Sequence, residues 1–317
     1  MTAPGSTAET VRTKPTRPKR SLGIDKPRWG SRETLIALLF ILPSFIGFAV
    51  FYAYPTIRGF WLSLTDYNLL SPPTFVGLEN FQRMFGDALF WNGLLVTVEY
   101  VILNIGFQTV LALILAVLLD RLVKSGFLRS VFVMPWLIAN VVVAIVWFWM
   151  LDFNLGIVNE FIEAIGLDRI PFFGSTFWVI PTVAWINVWR HLGYTAILIF
   201  AGLQAIPKDV YEAGSVDGAS ESKMFWGITI PLLRPVLALV LVVTMIGSFQ
   251  VFDTVAVTSD GGPVNASRVI QLYIFEKAFE QFEFGYGSAL SVALFIILLI
   301  ITVVQMRVLR ASQSDVA

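Results

Sequence analysis

The sequence predicts an all-α integral membrane protein with six transmembrane helices, and three observations support this. Of the 317 residues, 56% are hydrophobic, and only 14% are charged. A typical soluble domain has about 25% charged residues, so this chain has too little charge to cover a soluble surface. Six apolar stretches are also long enough to cross a bilayer, which requires about 20 residues. They lie at about residues 33–54, 93–119, 130–151, 176–203, 235–258 and 286–309.

The composition also argues against several classes of function. The 22 basic and 22 acidic residues balance, whereas a protein that binds nucleic acid normally carries a basic excess. The chain has no cysteine and a single histidine, so we expect neither a metal site nor a catalytic centre. It contains no G-x-x-x-x-G-K-[ST] phosphate-binding loop, so we do not expect it to hydrolyse ATP.

The two ends of the chain differ from the apolar region between them. Residues 1–32 are basic and contain several prolines, which predicts a disordered tail. No small-residue cleavage site follows the first apolar stretch, so we interpret that stretch as a retained helix. A six-helix domain is therefore predicted over residues 33–310, followed by a short tail at 311–317.

The distribution of lysine and arginine predicts the orientation. If the N-terminal tail is cytoplasmic, most of the 22 basic residues fall on the inner side, in the tail, in the second-to-third and fourth-to-fifth loops, and after the last helix. Few fall on the outer side. Because basic residues concentrate in cytoplasmic loops, both termini of this multi-pass protein are predicted to be cytoplasmic.

Two of the predicted loops, one on the outer side and one on the inner side, are expected to contain helices. In the outer loop, apolar residues recur at helical spacing over 157–167, which predicts a short helix on the outer membrane face. The inner loop, residues 206–235, interleaves apolar and charged residues over a length that a simple connector does not need. Gly218 follows Asp217 where a helix–turn–helix would bend. This pattern predicts a compact cytoplasmic element that docks on another protein.

The same inner loop resembles the membrane subunits of ABC importers, which carry Glu-Ala-Ala, three residues, Gly, nine residues and Ile-x-Leu-Pro. The matching positions here depart from that pattern only at Gly214 and Ile230. Further strings resemble the carbohydrate-uptake branch of this family, which includes permeases for maltose-like sugars and glycerol phosphates. The loop positions are Glu212, Ala213, Gly214, Gly218, Ile228, Ile230 and Pro231, and the further strings are YPTIRGFWLSLTDYN, FVGLENF, GIVNEFIEAIGL, LQAIPKDVYEAG, TSDGGP and FGYGSALSV.

The resemblance implies a fold, a role and a set of partners. The fold would be that of a type I ABC importer permease, and the loop would be a coupling helix seated in a cleft of a cytoplasmic ATPase. Glu212 would meet the ATPase, and Gly218 would permit the turn. The implied partners are a second homologous permease subunit, two ATPase subunits and an extracytoplasmic binding protein. ATP and magnesium would bind to the ATPase, and no cofactor would bind to this chain. The predicted coupling residues are Glu212, Ala213, Gly214, Asp217, Gly218, Ile228 and Pro231.

Polar residues inside the predicted spans are candidates for the transport path, because such residues are costly in a bilayer. By resemblance, Trp189 and His191 fall at positions that line the sugar site of the maltose permease. Arg190 and His191 also permit a structural interpretation, as hydrogen-bonding groups between helices. Asp253 has two alternatives, which are contact with the sugar and pairing with Arg190 or a residue of the partner subunit. The candidates are Asn104, Trp189, Arg190, His191, Tyr194, Ser248, Gln250 and Asp253.

Other intramembrane groups have structural interpretations. Glu99, Asn104 and Gln108 are predicted to share roughly one face of the second span, where they join helices or gate the path. Gly247 is predicted to be a close-packing position. Trp147 and Trp149 are predicted to lie in an outer interfacial belt.

The main hypothesis is therefore a permease subunit of an ATP-driven importer for a sugar or oligosaccharide. The same role for a glycerol phosphate ester or another polyol is an alternative. A secondary carrier with Glu99 and Asp253 as proton sites is a second alternative, but it leaves the docking loop unexplained. A membrane scaffold without transport would not need ionisable residues in the bilayer.

Overall fold

The computed structural model describes residues 32–308 and the side chains of residues 35–308. The predicted tails therefore lie outside the described residues, except for Arg32 at the start of the first helix. One antiparallel pair joins β1, Thr65–Asp66, to β2, Thr74–Phe75. The α-helices of this part of the chain are α1 Arg32–Phe48, α2 Tyr54–Leu62, α3 Glu79–Phe85, α4 Ala88–Leu122, α5 Gly126–Leu137, α6 Asn140–Met150, α7 Ile157–Ala164, α8 Val179–Gln204, α9 Lys208–Val216, α10 Glu221–Met224, α11 Ile230–Phe249, α12 Asp253–Thr258, α13 Ile270–Phe275 and α14 Phe284–Val308, with π-helical segments at Ala49–Ala53, Phe225–Thr229 and Glu276–Glu280.

The long helices agree with a multi-pass membrane protein. Within the described residues, four continuous helical runs are long and apolar enough to cross a bilayer, and the bent pair α5–α6 brings the number to five if it forms one span. The helix predicted over 176–203 is present as α8, but Asn187, Arg190 and His191 in its middle lower its mean hydropathy. The four runs are Leu35–Leu62, Ala88–Leu122, Glu221–Phe249 and Phe284–Val308.

Three predicted spans have different boundaries in the structure. The first runs on to Leu62 instead of ending at residue 54, because the π-helical segment before Pro55 accommodates the missing proline N–H. The third is broken after Leu137, and α5 and α6 meet at 90°. The fifth ends at Phe249, and a separate short helix, α12, begins at Asp253.

Contacts divide the chain into two units, one up to Pro55 and one from Thr56 onward. In the second unit, α4 and α8 pack together with α5 and α11. Small residues bring these helices close, and Gly193 of α8 lies so near the backbone of Phe132 in α5 that a Cβ atom would collide with its carbonyl group. Alanines at 112, 116 and 196 are fully buried in the same packing.

The outer loop helix is confirmed as α7, and buried polar contacts hold its loop in place. The Asn159 side chain is fully buried, donates to the carbonyls of Asp152 and Ile170 at 3.1 Å each, and accepts from the Ile170 amide at 2.8 Å. Exposed Glu160 and Glu163 both pair with Arg169, and these hydrogen bonds raise the pKa of its guanidinium. The position of α7 on the membrane face stays a prediction.

Another polar network joins the N-terminal ends of α4 and α14 to α13. Asp87 caps α4 by accepting from the Leu89 amide at 2.9 Å, and it also accepts from the hydroxyls of Tyr273 and Tyr286. Burial would raise the pKa of Asp87, but the hydrogen bonds from the two tyrosines and the backbone outweigh burial and lower it. This carboxylate therefore ties three helices together on the side of the protein opposite α9 and α10.

Candidate functional site

A cavity of about 340 Å³ lies in the second unit, where the breaks between α5 and α6 and between α11 and α12 meet α4 and α8. It is lined by six of the eight residues predicted for the transport path. These are Asn104, His191, Tyr194, Ser248, Gln250 and Asp253. Trp189 and Arg190, the other two, do not line it.

A buried hydrogen-bonded chain forms one wall of the cavity. The Asn104 side-chain amide donates to Ser248 Oγ at 2.9 Å and to Gln108 Oε1 at 3.2 Å, and Gln108 Nε2 donates to Thr195 Oγ1 at 2.8 Å. Three helices, α4, α8 and α11, are joined in this way. Because buried polar groups are costly when unpaired, the network fixes how these helices pack. It also brings polar side chains to the cavity surface.

The two helix breaks are joined to each other by Asn140 and Asp253. The Asn140 side chain, at the first residue of α6, donates to Asp253 Oδ2 at 3.1 Å. Asp253 therefore lies at the N-terminal end of α6, where the helix dipole stabilises a negative charge. Pro135 explains the first break in part, since it removes a backbone donor from the last turn of α5.

Arg190 stabilises the broken span, which agrees with the structural interpretation of this residue. Its Nε and Nη2 atoms each donate at 3.1 Å to the carbonyls of Ile138 and Trp136, which the end of α5 leaves without helical partners. Its Nη1 atom lies 3.0 Å from His191 Nε2. No ion pair joins Arg190 to Asp253 within the described residues, so the predicted pairing of these two side chains is not formed.

His191 is held in one neutral form by its two neighbours. Arginine can only donate, so His191 Nε2 must accept from Arg190 Nη1. Its Nδ1 atom lies 3.0 Å from the carbonyl oxygen of Asn187 and must therefore donate. The geometry assigns the tautomer with the proton on Nδ1 and places no charge on the ring.

The aromatic wall of the cavity differs from the prediction. Trp189 packs edge-to-face on Trp147 with ring centroids 5.5 Å apart, so Trp147 contacts another span and does not act only in an interfacial belt. The cavity is lined instead by Trp136 and Tyr194, whose rings stack at 4.5 Å and 10°. Trp136 could not be found from the sequence, because its position depends on the bend between α5 and α6.

Two further predictions for the spans are wrong. A Cβ atom on Gly247 would meet nothing within 4 Å, so this glycine borders the cavity and is not a close-packing position. Glu99 is exposed, whereas Asn104 and Gln108 are buried. A separation of five residues turns a helix by about 500°, which places Glu99 well away from the face that carries Asn104.

The predicted helix–turn–helix of the inner loop is confirmed. Helix α9 ends at Val216, Gly218 has a φ of +71°, and α10 begins at Glu221. Glycine suits this turn because a side chain strongly disfavours a positive φ. Ser220 caps α10 by accepting from the Lys223 amide at 3.4 Å.

The interior of this loop also accounts for one of the two departures from the family motif, Gly214. A Cβ atom on Gly214 would lie 3.1 Å from Ile228 Cδ1, so glycine here gives room for the isoleucine. The hydroxyls of Tyr211 and Thr229 are 2.9 Å apart and join the two arms of the loop. Glu212, Ala213 and Asp217 are exposed, which leaves them accessible, and their contacts with an ATPase stay a prediction.

The fold, the polar cavity and the inner loop together define a multi-pass membrane permease subunit. The family described as "Binding-protein-dependent transport system inner membrane component" matches residues 108–315, about two thirds of the chain. The chain belongs to this family, and it is therefore a non-enzymatic transport component of an ABC importer in the inner membrane.

Related proteins cover nearly the whole chain. The trehalose/maltose transport system permease protein MalF of Thermococcus litoralis is 34% identical over 88% of this chain and 95% of its own length. The sn-glycerol-3-phosphate transport system permease protein UgpA of Agrobacterium fabrum is 31% identical over 86% and 94%. A crystal structure of a bacterial ABC transporter involved in the import of the acidic polysaccharide alginate shares the fold, with a TM-score of 0.77 at 24% identity over 88% of this chain and 96% of that chain.

Proposed function

We propose that this chain forms half of the pathway by which an ABC importer takes up a sugar or oligosaccharide. The observation that carries the proposal is the cavity, which combines hydroxyl and amide side chains with the stacked rings of Trp136 and Tyr194. Aromatic faces pack on the C–H surfaces of sugars, and the polar groups hydrogen-bond with hydroxyls. The relatives named for trehalose, maltose and starch products support the same substrate class.

The proposed topology has six spans with both termini in the cytoplasm. Helix α8 and the bent pair α5–α6 would each count as one span, in addition to the four continuous runs. The excess of basic residues in the predicted inner loops supports this orientation. It places the loop that contains α9 and α10 on the cytoplasmic side, where an ATPase can reach it.

The proposed mechanism is alternating access. A binding protein delivers the substrate to the outer face, in accordance with the binding-protein-dependent family. Two ATPase subunits bind ATP and magnesium, close, and move the loop around Glu212 and Gly218, which opens the cavity outward. Hydrolysis returns the cavity to its inward state. A second homologous permease subunit completes the pathway, and this chain binds no cofactor.

Two substitutions in the loop test the coupling. Glu212→Lys reverses an exposed charge, and Gly218→Pro imposes a negative φ where the structure has +71°. Both are expected to abolish uptake, while the amount of chain in the membrane stays within about twofold of wild type. Lys124→Glu in the neighbouring inner loop and Gly126→Ala at the first residue of α5 are the controls, and both should retain uptake.

The complex is purified from host membranes with its co-purifying subunits, and uptake and substrate-stimulated ATP hydrolysis are measured in proteoliposomes. Normal stimulation of ATP hydrolysis in the Glu212→Lys or Gly218→Pro complex would overturn the coupling role. Uptake by the isolated chain, driven by an ion gradient without an ATPase, would overturn the proposed function and favour a secondary carrier.

A glycerol phosphate ester or another polyol is a second candidate substrate. The 31% identity with a glycerol-3-phosphate permease supports it. In this case the role of the chain and the coupling experiment are unchanged, and only the ligand of the cavity differs.

A further inference from the structure

We infer that the cavity accepts uncharged polyhydroxy substrates and disfavours phosphate esters and uronates. This inference rests on the proposed function and adds to it a choice between neutral and anionic ligands. The relatives do not decide this choice, because they are named for neutral sugars, for glycerol phosphate and for an acidic polysaccharide.

The first argument concerns positive charge. No lysine or arginine lines the cavity. The nearby guanidinium of Arg190 donates to the carbonyls of Ile138 and Trp136 and to the ring of His191. A donor used in this way is not available to a phosphate group unless the end of α5 loses its partners. His191 is neutral for the same geometric reason.

The second argument concerns negative charge. Asp253 is the only acidic residue among those that line the cavity, and it occupies the N-terminal end of α6. A helix N-terminus is where an anionic ligand would otherwise gain most. The protein's own carboxylate already takes this position, and it would repel a second anion across a medium of low dielectric constant.

The third argument concerns hydrogen-bonding capacity. Asn104 Oδ1 is buried at the cavity and has no hydrogen-bond partner within the described residues. The Tyr100 hydroxyl is also buried there; it lies near Asn187 but makes no hydrogen bond of standard geometry. Only Oδ2 of Asp253 accepts a hydrogen bond from the described part of the chain, which leaves Oδ1 open.

These open groups fit hydroxyls and do not fit anions. Asn104 Oδ1 and Asp253 Oδ1 are acceptors and need a donor. A hydroxyl group has the proton that such acceptors need, and its oxygen can accept from a tyrosine hydroxyl. A phosphate dianion or a carboxylate group can only accept, so such a group placed at either acceptor would leave that acceptor unpaired in a buried site.

The test uses pairs of compounds that differ mainly in charge. The complex of this chain with its co-purifying permease and ATPase subunits is placed in lipid nanodiscs without the binding protein, so that the binding protein cannot impose its own selectivity. The probes are maltose with maltose 1-phosphate, methyl glucoside with methyl glucuronide, and glycerol with glycerol 3-phosphate. Equilibrium dialysis of each radiolabelled compound gives its dissociation constant and the ratio within the pair.

We expect the neutral compound of each pair to have a dissociation constant at least about tenfold lower than that of its anionic counterpart. The reason is that contacts between like charges are strongly unfavourable in buried sites. Asp253→Asn should reduce this ratio toward one, whereas Glu280→Gln removes an exposed carboxylate outside the cavity and should leave the ratio unchanged. Size-exclusion chromatography checks that each variant complex assembles. If Asp253→Asn does not assemble, the ratio of dissociation constants for the wild-type complex still tests the inference.

Two outcomes would overturn the inference, and they are distinguishable. Equal or tighter binding of an anionic member would overturn the charge selectivity and leave the proposed sugar or polyol pathway in place. Binding of free amino acids, with no binding of any of these sugars or polyols, would overturn the proposed function together with the inference.

Discussion

The cavity and the inner loop are both rich in polar residues, but their contacts have different ranges. Around the cavity, Asn104 binds Ser248, Gln108 binds Thr195, and Arg190 binds a carbonyl at the end of α5, and these contacts join helices that lie far apart in the sequence. In the loop, Tyr211 meets Thr229, and Ser220 caps the helix beside it.

This difference predicts which property of the complex a substitution in each region should change. A change in the cavity wall disturbs contacts between spans, so it should lower the stability of the assembly. A change on the exposed side of the loop removes little that holds this chain together, so it should act on coupling. Thermal unfolding of the purified complex tests that contrast.

The largest effect is expected at Gly193. The alanine methyl group of Gly193→Ala would collide with the backbone of Phe132, and α5 must move away because a backbone carbonyl cannot rotate aside. Overpacking of this kind costs about 3 kcal/mol. Gly247→Ala is the matched control, since its methyl group meets nothing within 4 Å. Equal melting temperatures for the two variants would contradict the close contact of α5 and α8.

An intermediate effect is expected at Arg190. Replacement by glutamine removes the double contact with the carbonyls of Ile138 and Trp136, and unpaired carbonyls of this kind cost about 2 kcal/mol. Arg190→Lys should recover only part of the loss, because an ammonium group lacks the planar fork of a guanidinium. If Arg190→Gln unfolded at the wild-type temperature, Arg190 would not stabilise the helix break.

The smallest effect is expected in the loop, at Glu221. Its ion pair with Arg121 measures 2.7 Å, but the two side chains are 75% and 54% exposed. Exposed pairs contribute little, so Glu221→Gln should change the stability by less than about 0.5 kcal/mol. A shift in melting temperature as large as that of Arg190→Gln would remove the contrast between the two regions.

The sequence allowed the loop to be predicted because its determinants are local. Gly218 lies at the turn, Ser220 caps the following helix, and amphipathic spacing marks α9, all within a few residues of each other. The existence of the apolar helices could be predicted for the same reason, since hydrophobic length is a property of a continuous segment. The family resemblance depends on the same local strings.

The cavity could be predicted only in part. Six of the residues predicted for the transport path line the cavity, but Trp189 was predicted for the path and does not line it, whereas Trp136 was not predicted and does. Which side of a helix faces a cavity depends on the neighbours it packs against. Trp136 lies just before the bend after Leu137, and no local pattern indicates the angle of 90° at this point.

The sequence by itself therefore determined the membrane class, the family and the shape of the inner loop, since each depends on composition or on contacts between near neighbours. Only the tertiary structure decided that Arg190 stabilises a helix end, that Asp253 meets Asn140, and that Gly193 packs closely against another helix whereas Gly247 does not. The physical reason is that these side chains find their partners on other helices, which come together only when the chain packs.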